Sequence, residues 1–388
     1  MAANMSLAMD DTEKVKILVE DSIDVCGLTI LPPDVNQSSY RFRPDGEPGK
    51  KATKIRYGMG GVKGAGQNAI EAIIAAREAG GPFTSLYDFC VRVDRSRLNK
   101  RTVEALIKGG AFDNLQLNRA SLLASVDRAF EFAAATEANA NQGGLFDMSD
   151  SHAASTQEPP LVEAMPFGVK ARLVQEKTAI GFYLSGHLFD EVETEVRQFA
   201  KRKIEDLIDS REPQLLAAIL SDLRVINGNR GKLIIFKLDD KTDVLEASVD
   251  EALFNANRNL LKDDELVIVQ GTLQGASERF GRRFKVTQVW DLETARCKFG
   301  KYLRVAVNGS APDISRMVRD FPPRREMSEQ GEISRGLPVR LSLRRQSEVG
   351  GATAELHLGE AARFFPTDAA LASWMAQADR GLVQIVYE

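Results

Sequence analysis

Cysteine and histidine are scarce, with three of each in 388 residues, and Cys26, Cys90, Cys297, His152, His187 and His357 lie far apart with no C-x-x-C pair. Neither a disulfide framework nor a zinc site can be built on that spacing, and a reducing compartment fits it best. No apolar run approaches the ~18 residues of a membrane span. Residues 1–11 also lack the basic-then-apolar order of a secretory leader, so a cytoplasmic location is expected. An excess of one charge is missing too: 51 basic residues against 55 acidic ones leave a formal charge of −4, and any nucleic-acid surface must be local. Catalytic patterns are equally absent. There is no G-x-x-x-x-G-K-[ST] loop, no nucleophile beside a base and no carboxylate pair suited to two metal ions. Asp10-Asp11 reads as a helix cap, Asp239-Asp240 and Asp263-Asp264 as turn residues. No catalytic residue, metal ligand or cofactor is therefore expected within this chain.

At this length, with 43% hydrophobic residues, the chain has room for two to four packed units. Helical spacing of apolar residues covers 11–27, 67–79, 100–108 and 119–138, with Gly27 and Gly80-Gly81-Pro82 as stops. An apolar run at 28–31 ends at Pro32-Pro33, and the stretch to residue 135 reads as all-helical. Periodicity then disappears over 136–166, which reads as a linker, and returns as helix at 169–178 and 190–200. Strands are expected at 215–225, 233–238, 244–249, 265–273 and 282–290, with a helix at 250–261 between the third and fourth. That is the element order of an OB-fold barrel. The remainder reads strand 302–307, helix 312–320, strands 338–344 and 353–358, helix 367–378, strand 382–387, with 322–336 as a charged, exposed connection. This βαββαβ order matches a split βαβ layout. The fold class is thus multidomain α+β: an all-helical hairpin domain, a five-stranded OB barrel and a small α/β domain at the C-terminus.

The most specific motif is Gly64-Ala65-Gly66-Gln67-Asn68-Ala69, preceded by Val62-Lys63 and opening a helix. Two glycines around a small residue let the backbone turn sharply and aim N–H groups, at the positive end of the helix, toward a phosphate oxygen. This is a helix-hairpin-helix signature, with Lys63, Gly64, Ala65, Gly66 and Gln67 as candidate contacts that bind DNA without reading sequence. A tight packing turn would use the same residues. Downstream, 92–101 carries five basic residues against one acidic one, and Arg95, Arg97, Lys100 and Arg101 could extend a phosphate track or simply form a solvated face. In the linker, Gln142-Gly143-Gly144-Leu145-Phe146 sets an amide and two large apolar side chains at fixed reach. That arrangement suits docking in a partner's pocket or capping of the domain's own core. Within the barrel, Arg224, Arg230 and Lys232 on the first hairpin and Phe280, Arg282 and Arg283 at the last supply cations and a stacking ring for single-stranded DNA. Strand alternation assigns Phe236 and Phe284 to the core.

Several stretches resemble the C-terminal part of the alpha subunit of bacterial DNA polymerase III, the C-family replicative DNA polymerase. They are residues 1–14, the run from Leu28 to Asn36, the hairpin from Tyr57-Gly58 to Arg77, Leu98-Asn99-Lys100-Arg101, the run from Lys108 to Asp113 and Gly181-Phe182-Tyr183-Leu184-Ser185-Gly186-His187. The resemblance implies the end of the fingers over 1–54, a helix-hairpin-helix clamp-binding domain over 55–135 and a linker with a clamp-binding peptide over 136–166. A helical connection over 167–212, an OB domain over 213–296 and a tau-binding-like domain over 297–388 would follow. It makes Gln142, Leu145 and Phe146 the internal motif for the beta sliding clamp and implies contact with the tau subunit of the clamp loader through Leu371, Trp374 or Tyr387. It also implies a catalytic palm upstream whose aspartates hold Mg2+, with Met1 an internal methionine, so that the parent is a DNA-directed DNA polymerase and this region supplies processivity on primer-template DNA. An error-prone member of the same family and a freestanding nucleic-acid-binding adaptor without an enzyme are the alternatives. A DNA ligase with the same modules would want a four-cysteine zinc site, which three scattered cysteines exclude.

Overall fold

A computed structural model describes residues 1–46, 52–143, 157–228, 231–275, 281–307, 312–328, 331–347 and 350–387. They fall into two compact units, Met1–His187 and Leu188–Glu388.

The first unit begins with α1 (Ala2–Leu7) and α2 (Thr12–Asp24). Asp11 caps α2, its carboxylate accepting from the Lys14 amide at 3.2 Å. Gly27, at φ +62°, then turns the chain out of the helix. Three three-residue strands follow, β1 (Thr29–Leu31), β2 (Arg43–Asp45) and β3 (Lys54–Arg56), with β3 parallel to β1 and antiparallel to β2. The all-helical expectation is corrected here, because strands this short carry no readable alternation. Next come α3 (Gln67–Gly80), α4 (Leu86–Arg92), α5 (Lys100–Lys108), α6 (Arg119–Gly143) and α7 (Val169–Ile180). The bounds of α5 are those predicted. Helix α4 was not, since Leu86, Tyr87, Phe89 and Cys90 are all buried and leave little polar contrast to reveal a period. Helix α6 runs on to Gly143, into the stretch read as a linker. Ile70, Ile73, Val103, Leu106, Leu122 and Val126 meet in one core with an aromatic chain in which Phe83, Phe89 and Phe112 rings lie 4.9 and 5.0 Å apart.

A buried cation joins these helices. Arg119, 3% exposed, forks onto Asp113 at 2.8 and 2.6 Å and donates to the Lys108 carbonyl at 3.0 Å. The same guanidinium lies 3.6 Å from Glu176 of α7, itself 1% exposed. Glu176 in turn accepts from the amides of Leu184 and Ser185. Burial works against the charge on Arg119, but Asp113 and Glu176 outweigh it and its pKa is raised.

In the second unit, the helix expected at 190–200 is reduced to a 3-10 turn and α8 (Glu193–Val196), and the chain then leaves helical geometry to stack Phe199 on Phe299 at 5.3 Å. Strands β4 (Gln214–Gly228), β5 (Gly231–Asp239), β6 (Val244–Asp250), β7 (Glu265–Gln274) and β8 (Arg283–Trp290), with α9 (Glu251–Ala256) between β6 and β7, close in the order β4-β5-β6-β8-β7. The closing pairs are antiparallel between β4 and β7 and parallel between β6 and β8, which is the OB barrel. Phe236 and Phe284 are buried inside it, as alternation requires. Asp240 is fully buried at the end of β5 and accepts from Arg197 at 2.7 Å, the Ile204 amide at 3.0 Å and the Thr242 hydroxyl at 2.6 Å. Asp240 is thus structural, as its turn context predicts.

After α10 (Leu292–Phe299) come β9 (Gly300–Val307), α11 (Ile314–Asp320), a hairpin of β10 (Arg324–Ser328) and β11 (Gly331–Arg335), β12 (Val339–Ser347), β13 (Gly350–His357), α12 (Asp368–Gln377) and β14 (Val383–Tyr387). The hairpin replaces the exposed connection expected at 322–336. The βαββαβ order holds, but the sheet reads β13-β12-β9-β14 with β9 and β12 parallel neighbours, so the first βαβ unit is not split by a third strand. Trp374 is fully buried against Phe364, and the Tyr387 hydroxyl donates to Glu195 at 2.6 Å. Leu371 packs against the same core as Trp374. Trp374 is thus a core residue, whereas Leu371 and Tyr387 keep part of their surface exposed.

Replacing Arg119 with Met should destabilise the helical unit by about 3–5 kcal/mol, because Glu176 keeps a buried charge without its cation. Chemical denaturation followed by circular dichroism at 222 nm measures this. Asp240 sits below its ordinary pKa of 3.8, since the bonds from Thr242, Arg197 and Ile204 outweigh desolvation. A depressed carboxylate contributes stability that is complete above that ordinary value and is lost as pH falls through the folded value. Both tryptophans, Trp290 and Trp374, lie in the second unit. Their fluorescence should therefore show Asp240→Asn less stable than wild type at pH 7 and less sensitive to acid below about pH 4.

Candidate nucleic-acid interface

The glycine hairpin is built from short local bonds. The Ala65 amide donates to the Val62 carbonyl at 3.1 Å, and Gly64 takes φ +86°, where a side chain would be strained. Ala65 is buried and the Lys63 amide donates to the Ala179 carbonyl at 2.7 Å, which ties the hairpin to the end of α7. Gly66 is the N-cap of α3 with an ordinary φ of −67°. Its carbonyl accepts from the amides of Ala69 and Ile70, and the Gln67 and Asn68 amides of the first turn have no backbone acceptor among the described residues. A Cβ placed on Gly66 would meet nothing within 4 Å. The glycine at 64 is thus required by backbone geometry, whereas the one at 66 is required neither by backbone nor by packing. Gln67 is exposed, and its amide nitrogen donates to Glu71 at 2.8 Å.

The hairpin and the basic run are brought together by the Thr102 hydroxyl, which donates to the Gly64 carbonyl at 3.2 Å and sets the start of α5 beside the turn. The run itself divides. Arg92 is structural, donating to the carbonyls of Ala76, Gly81 and Pro82. Arg95 pairs with Glu137 at 2.8 Å, Arg97 with Asp94 at 3.5 Å and Lys100 with Asp127, whose bond raises the Lys100 pKa. Arg101 is exposed and has no ion pair among the described residues. Exposed pairs of this kind contribute only about 0–1 kcal/mol, so a phosphate can exchange into them.

The backbone of Gln142 closes α6, whereas Leu145 and Phe146 lie outside the described residues. The returning chain is strapped antiparallel along α6. The Pro160 carbonyl accepts from Tyr87 at 3.3 Å and Arg128 at 3.2 Å, and the Val162 and Ala164 amides donate to the hydroxyls of Ser125 at 2.8 Å and Ser121 at 3.1 Å.

On the barrel the described candidate cations Arg224, Lys232, Arg282 and Arg283 are engaged. Arg224 forks onto Asp222 at 2.7 and 3.0 Å, and Lys237 lies 3.2 Å from the same carboxylate. The bond from Arg224, opposed by partial burial, holds the Asp222 pKa below its usual range. Lys232 pairs with Glu251 at 3.1 Å, Arg283 with Glu246, and Arg282 donates to the Leu207 carbonyl at 2.7 Å. Arg230 and Phe280 lie outside the described residues. Sequence reasoning missed that Arg119 and Glu176 position the hairpin through α7, because neither falls in a motif and their pairing is visible only in three dimensions.

Among the described residues no three His, Cys, Asp or Glu side chains converge as a metal site, and no helix is long and apolar enough to cross a membrane. Burial pushes the Cys90 and Cys297 thiols up to about 12, far from a reactive thiolate at neutral pH.

The helix-hairpin-helix motif family matches residues 27–122. The DNA polymerase III subunit alpha of Neisseria meningitidis serogroup B is 40% identical over 325 residues, 82% of this chain and 27% of that protein. The Vibrio cholerae subunit is 34% identical, covering 96% of this chain and 31% of that one, and the Escherichia coli K12 subunit is 33% identical over 95% and 31%. The chain spans about a quarter to a third of the length of these relatives. Among solved structures, a small single-stranded DNA-binding protein from Streptomyces coelicolor is 13% identical, covering 21% of this chain and 91% of its own at a TM-score of 0.18. From 33–40% identity carried through most of its length, the chain is homologous to the C-terminal region of bacterial DNA polymerase III alpha subunits.

Proposed function

We propose that this chain is the DNA-tethering, processivity region of a cytoplasmic replicative DNA polymerase. In this reading the hairpin holds duplex phosphates without reading sequence, and Gln142, Leu145 and Phe146 enter a sliding clamp. The barrel follows the single-stranded template, and the last domain meets the tau subunit of the clamp loader. Template-directed nucleotidyl transfer, with Mg2+ in a carboxylate palm, belongs to the part of the parent protein that this chain does not span. The mechanism is multivalent: each contact is weak and, for DNA, steeply salt-dependent, but joining them on one chain raises the effective concentration of each for the others.

One observation carries the DNA reading, namely that Gly66 stands where neither φ nor packing needs a glycine. Close approach of a ligand to the Gln67 and Asn68 amides is the remaining physical reason for leaving that position bare. The thermal midpoint of Gly66→Ser should stay at or slightly above that of wild type, since serine is the better N-cap. Its affinity for duplex DNA should fall about tenfold or more, the worth of one or two amide–phosphate bonds. Unchanged affinity would make the hairpin a packing turn. For the clamp, surface capture of this chain by a bacterial sliding clamp should be abolished by the triple change Gln142→Ala, Leu145→Ala, Phe146→Ala. Equal capture of both proteins would remove the pentapeptide from the function.

A further inference from the structure

Among the described residues the C-terminal sheet is covered on one face only. Leu303, Val305, Val339, Leu341 and Ile385 point into a core with Met317 of α11 and Trp374 of α12. Alternation and register turn their neighbours the other way: Tyr302 and Arg304 on β9, Arg340, Ser342 and Arg344 on β12, Glu355 and His357 on β13, Gln384 on β14. Arg304, Arg344, Glu355, His357 and Gln384 are exposed, so among the described residues no element closes over this face.

The two central strands hold an aromatic and cationic cluster. The Arg340 guanidinium lies 3.7 Å from the centroid of the Tyr302 ring, and Arg304 donates to the Tyr302 hydroxyl at 3.1 Å. Arg304 and Arg340 face each other across the β9–β12 ladder, and Arg344 stands one pleat repeat beyond Ser342 on the same face. None of the three arginines has a carboxylate partner among the described residues. Among the described residues the one acid on the face is Glu355, which lies 4.0 Å from His357. On the barrel, by contrast, Arg224, Lys232 and Arg283 are each held by a carboxylate. The open sheet thus sets three arginines without a described carboxylate partner side by side on two neighbouring strands.

We propose that this face is a second single-stranded DNA platform, separate from the barrel, on which phosphates meet Arg304, Arg340 and Arg344 and a base stacks on the Tyr302–Arg340 pair. Planar guanidinium and phenol surfaces stack on any base, and arginine forks onto phosphate oxygens, so the chemistry fits a strand bound without sequence preference. An acidic polypeptide would satisfy the charges but would make no use of the ring. This inference goes beyond the tethering function proposed above and does not need the hairpin or the clamp peptide.

The test uses the full chain and oligothymidylates of increasing length, with binding read by fluorescence anisotropy over a range of salt. Arg304→Gln, Arg340→Gln, Arg344→Gln should weaken binding of a long oligonucleotide about tenfold and lower the log–log salt slope by about 2, as expected for three lost phosphate contacts on a single strand. Tyr302→Leu keeps every charge and should weaken binding without changing the slope, which separates stacking from electrostatics. A barrel variant, Arg224→Gln with Lys232→Gln, provides the comparison. If it loses affinity while both sheet variants bind as wild type, the platform is overturned and the barrel reading stands. If the sheet variants lose affinity and the barrel variant does not, the platform stands and the barrel reading fails. Photocrosslinking with iododeoxyuridine-substituted strands should label β9 or β12, and crosslinks confined to the barrel would overturn the proposal. So would displacement of the strand from the sheet by polyglutamate at equal charge concentration, which marks an acidic-protein site.

Discussion

A single guanidinium holds the helical unit in its working arrangement. Arg119 is buried, so its charge is tolerated only with Asp113 forked onto it and Glu176 within reach, and Glu176 is itself fixed by the amides of Leu184 and Ser185. Through Lys108 and Asp113 the cation sets the end of α5, and through Glu176 it sets α7 and the turn at Leu184 and Ser185. Helix α7 then presents the Ala179 carbonyl to the Lys63 amide, and α5 presents Thr102 to Gly64. The glycine hairpin is thus gripped from two sides by helices that share one ion cluster. Two of the stretches that carry the family resemblance, from Lys108 to Asp113 and from Gly181 to His187, border that cluster.

Charge in this molecule is managed locally, in agreement with its small net value. Beside the hairpin and on the barrel, most described cations are held by acids or carbonyls in exposed pairs that cost little to exchange. Such pairs keep a basic surface from becoming a general polyanion trap while leaving phosphate free to compete. Weak, exchangeable contacts at several places suit a tether that must stay on DNA and still move along it.

Much of this architecture was legible in the residues. Alternation located the five barrel strands to within a few positions, since an antiparallel or closed sheet buries one face and the pattern survives in the sequence. Helix α5 was read to the residue because Asn99 caps it and Gly109 follows it. What escaped had no periodic signal. The three-residue strands depend on main-chain pairing, α4 is apolar over most of its surface, and the hairpin of β10 and β11 reads locally as a charged loop. The candidate sites were legible as motifs but not as electrostatic states. Nothing in the residues around Arg224 reveals that Asp222, held at φ +59° in a bulge of β4, neutralises both Arg224 and Lys237. Likewise, the exposed arginines of the C-terminal sheet become a cluster only once β9 and β12 are known to be neighbours.

The strap from Pro160 to Ala164 brings the described chain back to the helix it left. A connection between domains has its two ends on different bodies, but here the chain leaves from the end of α6 and comes back onto the flank of that same helix, through Ser121, Ser125 and Arg128. The described chain on either side of residues 144–156 is thus anchored on one helix. The free energy of closing a chain between two such anchors grows only with the logarithm of its length, about 0.6 kcal/mol for each doubling. Paired anchors on one helix therefore tolerate a change in the length of chain between them at little cost to the helices beneath.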